Sequence, residues 1–207
     1  MNKVVLRGIV SRVFDGSNNE KLVVIRIRNG MLSNLPIVEF KEFPYKSGDF
    51  VEIEGEMAHE KRNGRNRQFI KGISVTKVES IMAEKFQKPL GGTCSFKNEV
   101  LIEGTILSVR FNKGVCKIDI IPDDSEDKWA YSFVGYHLPD DFTERFKAED
   151  HVCIYGKIQT EVKEIKGQTR FFKNLVLYKI SKITVNKPVH KKRNRRRKKA
   201  EVAAEKK

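Results

Sequence analysis

Apolar and polar residues alternate along most of the chain with a period of two. Val23, Ile25 and Ile27 share one side of a run whose other side carries Val24, Arg26 and Arg28. Val51 and Ile53 alternate in the same way with Glu52 and Glu54. That period predicts strands buried on one face. Helical periodicity is nearly absent, and the best helical segment is "DDFTERFKAED", Asp140 to Asp150. Between "DFVEIEGEM" and "FIKGISVTKV" lies "HEKRNGRNRQF", where Asn63-Gly64 supplies the residues of a tight hairpin turn. The pattern predicts an all-β protein.

The pattern also recurs. "NKVVLRGIVSRVF" from Asn2 resembles "NEVLIEGTILSVRF" from Asn98, and "LVVIRI" from Leu22 resembles "VCKIDI" from Val115. "GDFVEIEGEM" from Gly48 resembles "EDHVCIYGKI" from Glu149, and "NGRNRQFIKGI" from Asn63 resembles "KGQTRFFKNL" from Lys166. Four segments returning in one order predict a duplicated domain. Each copy reads as about five short strands, with a helix or loop between the third and fourth. That is the outline of the Greek-key barrel called the OB-fold; an SH3-like barrel or a small sandwich fits the same pattern. The expected organisation is a first barrel over 1–82, a linker over 83–97 with a proline and a glycine pair, and a second barrel over 98–184. A tail over 185–207 has too few apolar residues for a core and is expected to be disordered.

Charge separates these parts. The chain of 207 residues has 41 basic and 27 acidic side chains, a net +14. The first barrel holds +4, the linker +2, the second barrel −1 and the tail +9. Such a balance points to a polyanionic partner. Aligned through the repeat, Arg7 faces Glu103 and Arg26 faces Asp119, so basicity is concentrated in the first copy. Arg7, Arg26, Arg28, Lys61, Arg62, Arg65 and Arg67 are the candidate phosphate contacts. The bland reading is that Arg26 and Arg28 pair with Glu52 or Glu54 on a neighbouring strand, a surface contact of little energetic value. The tail adds Lys191, Lys192, Arg193, Arg195, Arg196, Arg197, Lys198 and Lys199. Single strands are also gripped by stacking. The aromatic candidates are Phe40, Phe69, Trp129 and Phe171, with Trp129 expected to be exposed because it follows the acidic loop "PDDSEDK".

These segments resemble bacterial single-stranded DNA-binding proteins. "MNKVVLRGIVSRV" is similar to that family's opening strand, and "GDFVEIEGEM" with "NGRNRQFIKGISVTKVE" to its fourth strand, DNA-wrapping hairpin and fifth strand. "KWAYSFVGYHLPDDFTERFKAEDHVCIYGKI" resembles its third strand, short helix and fourth strand. The resemblance implies an OB-fold, sequence-tolerant binding of single strands, and an assembly of about four barrels, for which a homodimer of this chain suffices. By position, Trp129 matches the family's strand-three stacking aromatic, and Phe69 and Phe171 the aromatic opening strand five. Three departures stand out. The first copy has Val38 and Phe40 in place of a tryptophan, the hairpins have Glu60 and Lys61 or Val162 and Lys163 where an aromatic is common, and the tail is basic where the family's is acidic. The bound strand is expected to cross both barrels, its phosphates held mainly by the first.

No catalytic constellation emerges, so an enzyme is not expected. His59, His137, His151 and His190 lack metal-ligand spacing, and "DDSED" from Asp123 reads as an acidic turn. No phosphate-loop glycine motif and no nucleophile elbow occur, so no cofactor or metal is expected. Cys94, Cys116 and Cys153 are widely spaced, as expected of reduced thiols in the cytoplasm. The opening "MNKVVLRGIV" lacks the features of a signal peptide, and no apolar run is long enough to span a membrane. The expected role is binding and protecting single-stranded DNA in replication, repair, recombination or transfer, in a bacterium, phage or mobile element. RNA is the alternative polymer. The alternative class is a protein-interaction scaffold whose tail touches nucleic acid incidentally.

Overall fold

Most of the alternating runs become strands. The computed structural model describes residues 1–16, 18–29, 32–62, 64–78, 96–125, 128–165 and 168–184. The first half contains β1 (Asn2–Asp15), β2 (Lys21–Asn29), β3 (Leu32–Asn34), β4 (Ile37–Phe40), β5 (Phe50–Arg62) and β6 (Arg65–Lys77). The second contains β7 (Lys97–Asn112), β8 (Val115–Pro122), β9 (Tyr131–Tyr136), α1 (Phe142–Arg145), β10 (His151–Ile165) and β11 (Gln168–Lys182).

Pairing closes each half on itself. β1 pairs with β2, β2 with β4, β4 in parallel with β6, β6 with β5, and β5 with β1. The second half repeats this circuit as β7, β8, β9, β11 and β10, again with one parallel contact, between β9 and β11. Closure leaves few free edges, and inward positions fill the interior. Val4, Leu6, Val23, Ile25, Val51 and Ile53 are buried in the first half, and Val100, Ile102, Ile118, Ile120, Val152 and Ile154 in the second.

Small details repeat as well. Asn2 Nδ2 donates to Met57 O at 2.8 Å while Met57 N–H donates to Asn2 Oδ1 at 3.0 Å. Asn98 makes the same two bonds with Ile158, at 2.7 and 3.0 Å. β1 slips register between Val10 and Arg12, and β7 between Ile106 and Ser108. Such bulges let a long strand bend across two sides of a ring. At the bend Gly8 has no alternative, since a Cβ there would lie 2.7 Å from Arg26 O.

The halves are joined through their first strands. β1 and β7 run antiparallel from Asn2↔Ile102 to Arg7↔Lys97, making one continuous eleven-stranded sheet. The buried residues form one cluster running through both halves. Tyr131 of β9 reaches across, its hydroxyl donating to Met57 O at 2.9 Å.

Several expectations change here. Lys97, assigned to the linker, is the first residue of β7. The helix expected over 140–150 is a single turn that buries Phe142 and Phe146. It stops because Lys147 to Asp150 turns back, with Lys147 N–H bonding Asp150 Oδ2 at 2.8 Å. The first half makes the same turn without a helix, Lys46 N–H bonding Asp49 Oδ2 at 3.0 Å. Phe96 of the expected linker packs its ring 5.6 Å from that of Phe50; residues 83–95, and the tail, lie outside the described residues.

Candidate nucleic-acid interface

The two long hairpins define a groove between the halves. β5 and β6 pair from Met57↔Ile70 out to Arg62↔Arg65, and Gly64 before β6 has the φ of 73° that a tight hairpin turn uses; Asn63 lies outside the described residues. β10 and β11 pair from Ile158↔Leu175 out to Ile165↔Gln168, two residues longer on each arm. Met57, Ile70, Ile158 and Leu175 together floor a cavity of about 230 Å³. Its walls carry Phe69, Lys117 and Lys173, with Gln68, Ser132 and Asn174 as neutral hydrogen-bonding groups. Lys117 and Lys173 are exposed, and Phe69 is half-buried. The groove therefore combines an apolar floor, an aromatic ring and two lysines; the crowding around the Lys173 ammonium, although its side chain reaches the surface, lowers its pKa from the ordinary value.

Beside it, the Arg67 guanidinium sits 5.3 Å from the centroid of the Phe69 ring. Arg67 also bridges Glu39 and Glu60, the latter at 3.0 Å. Burial raises the Glu39 carboxyl above its ordinary range, against the opposing pull of Arg67. Arg67, expected as a phosphate contact, is paired with two carboxylates of its own half.

Arg7, another expected phosphate contact, is also paired with a carboxylate. Its Nε donates to Glu52 Oε2 at 2.6 Å, and only 13% of the side chain is exposed. Lys97 reaches the same oxygen at 3.2 Å. Burial works against the Glu52 charge, but the hydrogen bonds from Arg7 and Lys97 hold its carboxyl below the usual range. The pairing foreseen for Arg26 or Arg28 therefore belongs to Arg7, while Glu54 pairs with Lys3 at 2.8 Å. Arg26 is half-buried, its Nε enclosed with no hydrogen-bond partner among the described residues. Arg28 lines a different cleft, apart from the hairpin groove. Lys61 is exposed near the hairpin tip. The side chains of Arg62 and Arg65, and the tail cations, lie outside the described residues.

The expected opposition of Arg26 and Asp119 is also corrected. Ile9↔Arg26 in the first half corresponds to Thr105↔Ile121 in the second, so Arg26 matches Ile121. Asp119 is buried, and burial alone would raise its carboxyl. Hydrogen bonds from Ser132, from Ser108 at 2.8 Å and from Arg110 hold it below the ordinary value instead.

Of the stacking candidates whose side chains are described, Phe69 alone is placed in the groove. Phe40 is 7% exposed, its ring 5.2 Å from that of Phe43, so it belongs to the core. Trp129 is half-buried, stacked on His59 of the other half at 4.9 Å with 13° between the rings. Its Nε1 is enclosed with no partner among the described residues. It wedges the halves together, contrary to the exposure expected of it. The Phe171 side chain lies outside the described residues, but its backbone faces Val162, whereas Phe69 faces Ala58. The structural counterpart of Phe69 is Asn174, which faces Gln159.

Lys117 and Lys173 escaped the sequence reading. For Lys117 a signal was present, since Cys116, Ile118 and Ile120 alternate with it and put it on the outer phase of β8. The exposed tyrosines Tyr136, Tyr155 and Tyr178 were passed over as well.

Paired five-stranded rings joined along their first strands define a class with known examples. The chain resembles the wild-type single-stranded DNA binding protein from Thermus aquaticus with a TM-score of 0.60 at 9% identity, over 89% of this chain and 93% of that one. A deletion mutant of the same Thermus aquaticus protein gives a TM-score of 0.59 at 10% identity, over 92% and 98%. At that identity the likeness is one of fold. No protein-family profile matches the chain, and no curated protein matches its sequence.

Proposed function

We propose that the chain consists of two tandem OB-folds that bind single-stranded DNA with little sequence preference. The observation that carries this reading is the groove between the hairpins, where Phe69 stands among Lys117, Lys173 and neutral polar groups. A base stacks on Phe69, since every base offers a π-face, and the lysines take neighbouring phosphates. The same arrangement disfavours duplex, whose bases are already stacked on one another. Lys61, exposed near the hairpin tip, extends the cationic surface outward.

The fold likeness to the Thermus aquaticus protein supports this reading. We further read the chain as a non-catalytic, cytoplasmic protein that forms a homodimer and protects exposed strands during replication, repair, recombination or transfer. Light scattering checks the dimer.

The test is a titration of oligo-dT, matched oligo-rU and duplex of the same length, followed by gel retardation. Single-stranded DNA should bind best, with log affinity falling by about 0.7 per phosphate neutralised as log salt rises. Phe69→Ala should weaken binding by about 1–3 kcal/mol. Equal affinity for duplex would overturn the reading, and tighter binding of oligo-rU would reassign the polymer.

A further inference from the structure

A second cleft lies on the opposite side of β10. Lys157 and Ile158 are consecutive, so their side chains point to opposite faces of that strand; Ile158 floors the hairpin groove while Lys157 lines the cleft. The cleft has a volume of about 220 Å³ and draws Arg28 from the first half, with Lys97, Lys157, Tyr155 and Tyr178 from the second. Tyr178 is 53% exposed, although it is a large aromatic. Lys157 Nζ stands 5.0 Å from its ring centroid, and the Tyr155 ring is 5.9 Å away. Glu99, the one acid among the described lining residues, accepts from the Tyr155 hydroxyl, and burial followed by that carboxylate raises the tyrosine's pKa.

Comparison of the two halves shows how particular this cleft is. Through the repeated pairings, Arg28 corresponds to Asp123, Lys157 to Glu56, Tyr155 to Glu54 and Tyr178 to Ile73. Tyr178 and Ile73 are the extra residues at the same register slip of the last strand. At the equivalent place acids stand where the cleft has Arg28, Lys157 and Tyr155, Lys3 stands where it has Glu99, and the rings beside Glu56 are His59 and the buried Tyr131. Common architecture cannot account for exposed tyrosines flanked by Arg28 and Lys157 at one of two equivalent places. The chemistry gathered there, guanidinium and ammonium groups around exposed π-faces, is that which holds a single strand.

We infer that the cleft of Arg28, Lys157, Tyr155 and Tyr178 is a second subsite for single-stranded DNA, engaged by a strand that leaves the hairpin groove and passes round the second ring. This rests on the proposed function and adds a path to it. A short strand fills the groove alone; a longer one also stacks a base on Tyr178 and gives phosphates to Arg28 and Lys157.

The test uses the full chain with short and long oligo-dT, and the variants Tyr178→Ala, Lys157→Glu and Phe69→Ala. Tyr178→Ala should weaken long oligo-dT about 5-fold or more and leave the short one unchanged. Lys157→Glu should lower the salt slope for the long strand by about 0.7. Phe69→Ala should weaken both lengths, and its failure to do so would count against the groove instead. Unchanged long-strand affinity in both cleft variants would overturn the second subsite. So would a change in oligomeric state at unchanged affinity, which would assign the cleft to contact between copies.

Discussion

Tyr131 ties the two halves together, and its hydroxyl gives the junction a measurable pH signature. The residue is 3% exposed and donates to Met57 O, which also accepts from Asn2 at 2.8 Å. Burial, then the carboxylates of Glu56 and Asp124, push its pKa from the ordinary 10.0 up to about 12. Because the folded value is raised, the stabilisation is complete below the unfolded pKa and is lost as pH climbs through the folded one. A shift of about two pK units corresponds to about 3 kcal/mol across that interval. Tyr131→Phe removes the hydroxyl but leaves Met57 O bonded to Asn2, so the cost at neutral pH should be about 1 kcal/mol. Urea unfolding of both proteins from neutral pH towards pH 12 provides the assay. The wild type should lose its advantage over Tyr131→Phe in the alkaline window, while other titrating groups cancel in the difference. Parallel stability curves through that window would refute the assignment. Since the hairpin groove takes walls from both halves, DNA binding by the wild type should weaken in that alkaline window relative to Tyr131→Phe, which has no phenol to ionise.

Asp119→Asn should destabilise the second half by about 1–3 kcal/mol, because it weakens bonds from Ser108, Ser132 and Arg110 to a buried group. The Asp119 pKa is lowered, so its contribution is present above the ordinary carboxylate value and lost in acid; the variant should show a shallower acid dependence. Arg67→Ala leaves Glu39, only 12% exposed, without its cation, and the loss of stability should be largest at neutral pH and shrink as Glu39 protonates. Both are read by urea midpoints against pH. Removing residues 186–207 should reduce the salt slope of DNA binding yet leave single-strand affinity at moderate salt; complete loss would place binding in the tail.

The period-two pattern carried the strands, the hairpin loop and the repeat, because each depends on local alternation. Register between the copies was harder. A shift of two residues returns every side chain to the same face, so alternation cannot distinguish the true match from its neighbour. That is why Arg26 was set against Asp119 when the pairing matches it to Ile121. The same degeneracy hid the longer β10–β11 hairpin, and with it the match of Phe69 to Asn174. Ion pairs were invisible for another reason. Glu52 lies 45 residues from Arg7, and Glu39 lies 28 from Arg67, so only strand order brings them together. Trp129 looked exposed from its flanking acidic turn, but its environment is set by His59 across the junction.

The pairing of β1 with β7 has a consequence for direction. Were the same two rings supplied by identical chains, every substitution would occur twice, and an arginine at one place would require an arginine at its mate. One polypeptide escapes that rule, and Arg28 can stand where the other half has Asp123. A surface without a two-fold axis gives unequal energies to the two orientations of anything threaded along it. A nucleic-acid strand has distinct 5′ and 3′ ends, so this scaffold can impose a polarity on it that a symmetric pair of rings would have to leave undecided.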